Sequence, residues 1–509
     1  MNCGLLFSAD SREERSVKLE PRLVVALCGL AAIRVFLFSA AFPFFSNIDE
    51  QAHFDLVCKY ARGHVPGGLE HWDADAARLI VLYDTPEYFV PKDQYPGGVL
   101  PPPHRLVTPE DRIGFERELR TFMDTENHEA TQPPVYYLVA GAWHRLGGWI
   151  GLREGQALYW VRFLNVLLCC SLTWLSYAFT RAFFPDRAFV RVGVPFLIAF
   201  FPQDAFYLVN NDVLLPLIGG AAFFCLLLIH RGPPRSIAFH AGTGLLVAAT
   251  ILVKFSSVAI LPVAAAVVGF AVLGRRPSGN GRAAFAKGAV LMAAAAVPIA
   301  AWCARNVIVL GDVTGSADKA RSLGWTLKPL GAFFSHPIFT LAGVTTFWSK
   351  TLATFWRGEI VWGLQPLASP GWDRFYAVSS VLLIASAVIA PRAWNRGRPA
   401  RERDIVWPSL ALFLLSLTFL AGISVSYDFG DCFYPSREMP YITSGRLALG
   451  ALIPFAALYV SGLDALLPAR VGAPVRWLAL IVPVVLMTLS EIHLSKVAFS
   501  SPYNWFHMF

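Results

Sequence analysis

The sequence predicts an all-α protein that crosses a membrane about 11–13 times, and three observations carry that prediction. Hydrophobic residues make up 55% of the 509 and charged residues only 15%, against about a quarter in soluble domains. Mean hydropathy is +0.50. Apolar runs long enough to cross a bilayer as helix recur along the chain. The signal is long runs and not short alternating strands, which excludes a membrane barrel. The composition also excludes a soluble enzyme, a secreted disulfide module and a disordered chain.

The first span is predicted at 22–45, behind a segment 1–21 that carries Arg12, Arg15 and Lys18. The run is too long for a signal-peptide core and no small-residue cleavage site follows it, so it stays as a span with a cytoplasmic amino terminus. Further spans are predicted at 133–152, 159–180, 190–206, 208–230, 237–253, 256–274 and 286–310, forming a core over 132–310. An aromatic-rich segment, 311–371, follows, in which 333–356 is a further span or a re-entrant piece. The last spans are 373–391, 406–426, 445–466 and 474–494, ahead of an outer tail, 495–509. No strong internal repeat stands out, which weakens a transporter built from repeated halves.

Charge orients these spans. Arg275, Arg276, Arg282 and Lys287 cluster in one loop, and Arg392, Arg396, Arg398, Arg401 and Arg403 in another; both read as cytoplasmic. The net charge of +8 reflects this bias and not a nucleic-acid partner. Loops 46–131, 311–336 and 427–443 then lie outside. A parity conflict remains at Arg181, Arg187 and Arg191. They look cytoplasmic, yet two full spans between 132 and 180 place them outside. Either one segment there is re-entrant or the charge rule fails locally.

In the long loop 46–131, acidic residues outnumber basic ones about two to one. Ala52, Leu56, Val57 and Tyr60 have helical spacing, predicting a short helix over 50–62 at the membrane surface. The stretch YPGGVLPPP, 95–103, cannot be regular helix and suits a cover. A second short helix is predicted over 110–122. Gln132-Pro133-Pro134 opens the next span, where proline is tolerated. The eight cysteines include no CxxC pair, which leaves zinc and iron–sulfur sites without support. Cys58 and Cys432 are the pair placed outside, where a disulfide has room to form.

Asp49 and Glu50 sit just past the first span. They are either a hydrated loop start with a capping acid or active-site carboxylates. Two close carboxylates raise each other's proton affinity, which suits a general base. His53 shares a helical face with Glu50 and suits hydrogen bonding better than metal ligation. Asp49, Glu50 and Asp212 make a poor ligand set; no cofactor is predicted, and a divalent cation stays open. Asp204, Asn210, Asn211 and Asp212 form either a polar hairpin tip or the floor of a buried site. Lys254, the only charge between His240 and Arg275, snorkels, sits in a helix break or meets a phosphate. Arg305 and Arg446 lie on the outer side against the usual bias. Each wants an anionic partner, a protein carboxylate or a substrate phosphate. The aromatics of 325–376, Trp348 and Trp356 among them, suit an interfacial belt and equally a sugar or isoprenoid contact.

In order along the chain stand NIDEQAHF at 47–54, QPPVYYLVAGAWHRLG at 132–147 and VRFLNV at 161–166. FPQDAFYLVNNDVLL at 201–215 and RNVIVLGDVTG at 305–315 follow, then TTFWSKTLATFWRGEIVWG at 345–363 and SGRLALGALIPF at 444–455. Together these resemble the membrane-embedded glycosyltransferases of the C-type fold (GT-C), and most narrowly the bacterial multi-spanning family of domain of unknown function 2142. The resemblance implies a GT-C-like fold with a large first extracytoplasmic loop bearing short surface helices over the site. It implies an enzyme of the bacterial inner membrane that moves a sugar from a polyprenyl-phosphate donor, with inversion, to an outer glycan, lipid or protein acceptor. Asp49, or Glu50 in its place, is the implied base. Candidates for substrate contact are His53, Gln132, Tyr136, Asp204, Asn211, Asp212, Lys254, Arg305, Trp348, Trp356 and Arg446. The segment around Phe347–Trp362 departs from the family's usual phenylalanine–glycine–tryptophan ending. Rival readings are another lipid-linked transferase or ligase, and a transporter or flippase of a lipid-linked or anionic solute. A transporter calls for essential charges near mid-membrane on both sides of a gate.

Overall fold

The computed structural model describes residues 6–233, 235–275, 281–393, 400–432, 434–468 and 470–507. Arg276, Arg396 and Arg398 of the two basic loops lie outside the described residues. The chain runs through α1 (Leu6–Ala41), the loop helices α2 (Glu50–Ala61), α3 (Ala74–Tyr83) and α4 (Phe115–Asp124), then α5 (Val135–Trp149), α6 (Glu154–Phe183) and α7 (Ala188–Ala199). Next come α8 (Leu215–Arg231), α9 (Ile237–Val253), α10 (Ile260–Arg275), α11 (Gly281–Leu310), α12 (Ala317–Ser322) and α13 (Leu341–Arg357). The chain closes with α14 (Pro370–Ala393), α15 (Ala400–Ser426), α16 (Leu452–Leu466) and α17 (Ala473–Phe499). Among the described residues nine helical stretches are long and apolar enough to cross a membrane, and α7 and α9 are shorter apolar helices.

Side-chain contacts fix the direction of the early helices. Arg162, near the start of α6, donates to the carbonyls of Ser39, Phe42 and Pro43 at the end of α1. At mid-length the thiols of Cys28 and Cys170 each donate to the other's carbonyl. At the opposite end Glu20 pairs with Arg191 at 2.6 Å. So α6 is antiparallel to α1 and alone returns the chain to the end where α1 began. Helix α5 therefore does not cross. It stays at the loop end, where Trp143 stacks on Trp160 at 4.1 Å and each indole N–H donates to the other's carbonyl. This settles the parity conflict in favour of a re-entrant segment. It also puts Arg187 and Arg191 at the end where α1 begins. There Asp464 holds Arg187 and Arg476, and Asp404 holds Arg231.

The stretch 333–356 does not cross either. Arg305, near the end of α11, donates to the Pro66 carbonyl in the first loop. Arg357, at the end of α13, pairs with Asp373 in the first turn of α14 at 2.7 Å. Both contacts lie at the loop end, so the chain enters and leaves α13 there. Among the described residues, the nine long stretches together with the shorter apolar helices α7 and α9 make eleven candidate crossings, within the predicted range.

The first loop is an ordered roof. Asp55 in α2 is fully buried and takes Lys59 at 2.9 Å, the Asp73 N–H at 2.7 Å and the Asn127 amide at 2.7 Å. Asp73 in turn caps α3 through the N–H groups of Asp75 and Ala76. Helix α2, predicted at the membrane surface, has every residue but Gln51 buried, because α3 and α5 cover it. The exposed short helix is α4, which begins five residues later than expected. Cys58 is buried in α2 and both it and Cys432 are free thiols. The tail beyond α17 folds back under the roof, where Ser501 donates to Glu87 at 2.6 Å and Trp505 packs on Phe36 and Tyr159.

Candidate functional site

Neighbouring acids in one dipeptide have opposite fates. Asp49 precedes α2 with φ 61°, in the left-handed region that aspartate tolerates better than most residues. Its carboxylate makes no capping bond. Instead it is half-buried, 3.2 Å from His128 Nε2 and 4.0 Å from an Arg446 nitrogen. Glu50 turns the other way and is fully buried. Both its oxygens meet Arg162 at 2.7 Å, and they also accept from the N–H groups of Val209 at 3.0 Å and Ser46 at 3.2 Å. Every acceptor position of Glu50 is engaged in tying α1, α6 and the 200–214 segment together.

From Asp49 a single polar network spreads under the roof. His128 lies 3.8 Å from Glu129, which holds Lys319 of α12 and the Gln132 amide. Gln132 accepts from Asn211 at 3.2 Å, and Asn211 accepts from Lys254 at 3.1 Å. Lys254 also pairs with Asp212 at 2.7 Å, and Asp212 meets Arg446 at 3.0 Å. Arg446 closes the circuit on Glu359 at 3.1 Å. The segment 201–215 is thus the floor of a buried site and not a hairpin tip, with Asn211 and Asp212 fully buried. Lys254 stands in the break between α9 and the next helical segment, and it meets protein carboxylate, as does Arg446.

Two glycines allow this convergence. A Cβ on Gly445 would collide with the Phe355 nitrogen and Thr351 carbonyl of α13, so only glycine lets the backbone before Arg446 approach that helix. A Cβ on Gly358, whose φ is +85°, would strike the Asp204 carboxylate. That carboxylate receives the N–H groups of Glu359 at 2.6 Å and Ile360 at 2.8 Å, which fixes the turn presenting Glu359 to Arg446.

The charges set protonation. Burial would raise the Asp49 pKa, but the His128 hydrogen bond and the charges of Lys319, His128 and Arg446 hold it well below the usual carboxylate range. Burial would lower His128, yet its bond to Asp49 and the charges of Glu129 and Asp49 raise it. Glu129 is likewise lowered, because Lys319 outweighs its burial. His53 goes the other way: burial brings it to about 4, and its Nδ1 meets the Tyr137 hydroxyl at 2.7 Å.

Of the predicted residues, the network gathers Asp49, Gln132, Asn211, Asp212, Lys254 and Arg446. Asp204 supports it through the Gly358–Ile360 turn. Tyr136 is fully buried in α5. Trp356 is a core residue, stacked on Phe201 at 4.6 Å and Tyr376 at 5.2 Å and donating to Ser380 at 2.8 Å. Trp348 is half-buried beside Phe347. Arg305 lies over the Trp302 ring and holds the Pro66 carbonyl and Asn306. His128, Glu129, Lys319 and Glu359 were not singled out from the sequence. His128 and Glu129 stand four and three residues before Gln132 in NHEATQPP, an acid–histidine signal beside a segment already marked. Glu359 lies within the quoted stretch 345–363 but was not singled out in it, and Lys319 carries no local signal.

One ligand atom each from Asp49, His128 and Glu129 lies within 4.8 Å of the others. Two carboxylates and an imidazole suit a divalent ion of borderline hardness. Lys319 and Arg446 already supply positive charge to the same carboxylates, so an ion there displaces or competes with them.

The family described as "Predicted membrane protein (DUF2142)" matches over residues 33–426. No curated protein matches the chain. Similar solved structures include the oligosaccharyltransferase AglB from Archaeoglobus fulgidus in complex with an inhibitory peptide and a dolichol-phosphate. The identity is 12% and the TM-score 0.44, with 96% of this chain and 56% of that one covered. The chain thus spans little more than half the length of that oligosaccharyltransferase. Another is ArnT from Cupriavidus metallidurans bound to undecaprenyl phosphate, at 12% identity and TM-score 0.34, covering 87% of this chain and 77% of that one.

Proposed function

The chain belongs to the DUF2142 family of membrane proteins, and on its site geometry we propose that it is an inverting glycosyltransferase using a polyprenyl-phosphate-linked sugar donor. The observation that carries the proposal is Asp49. It is a half-exposed carboxylate with no capping role, set 4.0 Å from Arg446 beneath an ordered loop.

Such a donor brings its own good leaving group, so the protein needs positive charge at the departing phosphate and a base at the acceptor. Arg446, Lys254 and Lys319 are the cations grouped around Asp49, Asp212 and Glu129. A lipid phosphate drawn to them takes up part of the charge that now holds Asp49 so acidic. The Asp49 pKa then rises towards its ordinary value, and the carboxylate becomes a better base when donor is bound. In the transfer step the acceptor hydroxyl oxygen bonds to the anomeric carbon from the face opposite the phosphate. Its proton passes to Asp49, and the carbon–oxygen bond to phosphate breaks with its electron pair on the phosphate. Inversion follows from that opposed geometry. Asp49, His128 and Glu129 would hold a divalent cation if one is used, and it would add Lewis-acid charge at the same place.

The basic residues Arg181, Arg187, Arg191, Arg231, Arg235 and Lys287 cluster at the end of the bundle opposite the site. This supports an extracytoplasmic site in the inner membrane, with a glycan, lipid or protein acceptor arriving from outside. A transporter calls for charges open to both sides. The mid-bundle charges Arg34 and Glu491 instead neutralise each other at 2.6 Å.

The test is turnover of synthetic polyprenyl-phosphate sugars by the full chain in membranes. Free polyprenyl phosphate should appear, with the product inverted at its anomeric carbon by NMR. Absence of turnover with every donor in a sugar panel, or turnover indifferent to Asp49→Asn, would reject the assignment.

A further inference from the structure

Behind the Gly358–Ile360 turn lies a small cavity of about 20 Å³, room for one water-sized occupant, bordered among others by Asp204, Tyr207, Arg357, Ser490, Glu491 and Ser495. Two of its carboxylates are only half satisfied. Asp204, 5% exposed, spends one oxygen on the N–H groups of Glu359 and Ile360. Its Oδ1 has no hydrogen-bond partner among the described residues. Glu491, 4% exposed, uses Oε1 for Arg34 and the Tyr207 hydroxyl, and its Oε2 has no partner either. Buried carboxylate oxygens are costly to leave unpaired, and a pair of them on one cavity points to a ligand that satisfies both.

The charge around the cavity defines that ligand. Arg34 neutralises Glu491. Arg357 is committed to Asp373 at 2.7 and 3.1 Å and to the Gly358 carbonyl at 2.9 Å. Glu359 is held by Arg446. Of these acids Asp204 alone is in no ion pair among the described residues, so one positive charge completes the site and two would overfill it in a low-dielectric interior. The oxygens left unpaired there among the described residues, Oδ1 of Asp204 and Oε2 of Glu491, are hard donors, which suit an alkali cation better than a transition metal.

We propose that this cavity binds a single sodium-sized monovalent cation between Asp204 and Glu491, distinct from the Asp49 site. The cation has a structural consequence. It keeps Asp204 ionised, and ionised Asp204 clamps the backbone of Glu359, which in turn holds Arg446. A proton competes with the cation for the same buried carboxylate oxygens.

Equilibrium binding of radioactive sodium to the purified full chain in micelles tests this, with choline keeping ionic strength constant. At about pH 8 the wild type should bind one sodium saturably, and Asp204→Asn should bind it about tenfold or more weakly. Asp49→Asn should bind as wild type does. Should Asp204→Asn fail to fold, the wild type decides alone: affinity should fall on going to about pH 6 as protons compete. No saturable sodium binding overturns the proposal, as does affinity indifferent to pH. Binding lost in Asp49→Asn and kept in Asp204→Asn overturns it too, because the ion then sits at Asp49, His128 and Glu129. None of these readouts depends on sugar transfer.

Discussion

Arg446 stands 4.0 Å from Asp49, near enough for its charge to act on the carboxylate and too far for a hydrogen bond, while Asp212 and Glu359 take its nearer contacts at 3.0 and 3.1 Å. Asp49 is therefore the acid of this group that structure does not consume. Because it caps no helix, Asp49→Asn should leave the fold intact, judged by gel filtration, and lower the melting temperature only by what its pairing with His128 contributes. Transfer should fall about 100- to 10,000-fold, the usual worth of a general base. Near-wild-type kcat would remove Asp49 from the base role.

Arg446 has two functions that one substitution separates. Arg446→Ala leaves the buried Asp212 and the half-buried Glu359 with less counter-charge and should cost both stability and donor affinity. Arg446→Lys keeps the charge but loses the planar fork that spans two partners. It should retain most of the stability and lose about tenfold in donor binding, a change of about 1.4 kcal/mol, read by native mass spectrometry with bound polyprenyl phosphate. Donor affinity unchanged in both variants would free Arg446 of any phosphate role.

Glu50 should behave as a structural residue. Breaking a fully buried ion pair from one side costs about 3–5 kcal/mol, because the other charge stays buried alone. Glu50→Gln should therefore lower the melting temperature and the folded yield, with kcat per folded molecule nearly unchanged. Pairing Glu50→Leu with Arg162→Met should recover part of the stability, since neither charge is then stranded. A stable Glu50→Gln protein with no activity would reverse this assignment.

The Asp49–His128 contact predicts a defined pH window. Asp49 is depressed, so its contribution is present above the unfolded carboxylate pKa of about 3.9 and is lost as pH falls through its folded value. His128 is raised, so its contribution is full below about 6.5 and is lost as pH rises through its folded value. The melting-temperature gap between wild type and His128→Gln should thus be widest near pH 5–6 and narrow above neutrality. A gap that widens with alkaline pH would show that His128 is not the charged partner.

Composition and run length were enough to read the membrane bundle, because each span states its own apolarity. The order of motifs was enough to bring Asp49, Gln132, Asn211, Asp212 and Arg446 under suspicion, and Lys254 stood out as the only charge between His240 and Arg275. What a linear reading lacked was direction. Asp49 and Glu50 are adjacent, and only the left-handed backbone at Asp49 sends one to the site and the other to Arg162. Lys319 and Glu359 join the network across 190 and 87 residues of sequence respectively, through ion pairs that no local pattern encodes. Trp356 misled for the opposite reason: aromatic density looks the same whether the ring faces a sugar or the core.

Helix α5 was the hardest element to place, since QPPVYYLVAGAWHRLG is as apolar as a span, and its placement can be tested directly. The mutual indole–carbonyl bonds of Trp143 and Trp160 tie α5 to the first turns of α6. The Glu20–Arg191 pair ties the far side of α6 to the start of α1. Both ends of α5 must then face the same side of the membrane. Single cysteines at the exposed positions Glu126→Cys and Arg153→Cys should react together with an impermeant thiol reagent from outside intact cells. Asp186→Cys, also exposed, should react only once the cells are opened. If Arg153→Cys is protected while Asp186→Cys reacts from outside, α5 crosses, the direction of α6 is reversed, and Asp49 and Arg446 no longer share a face.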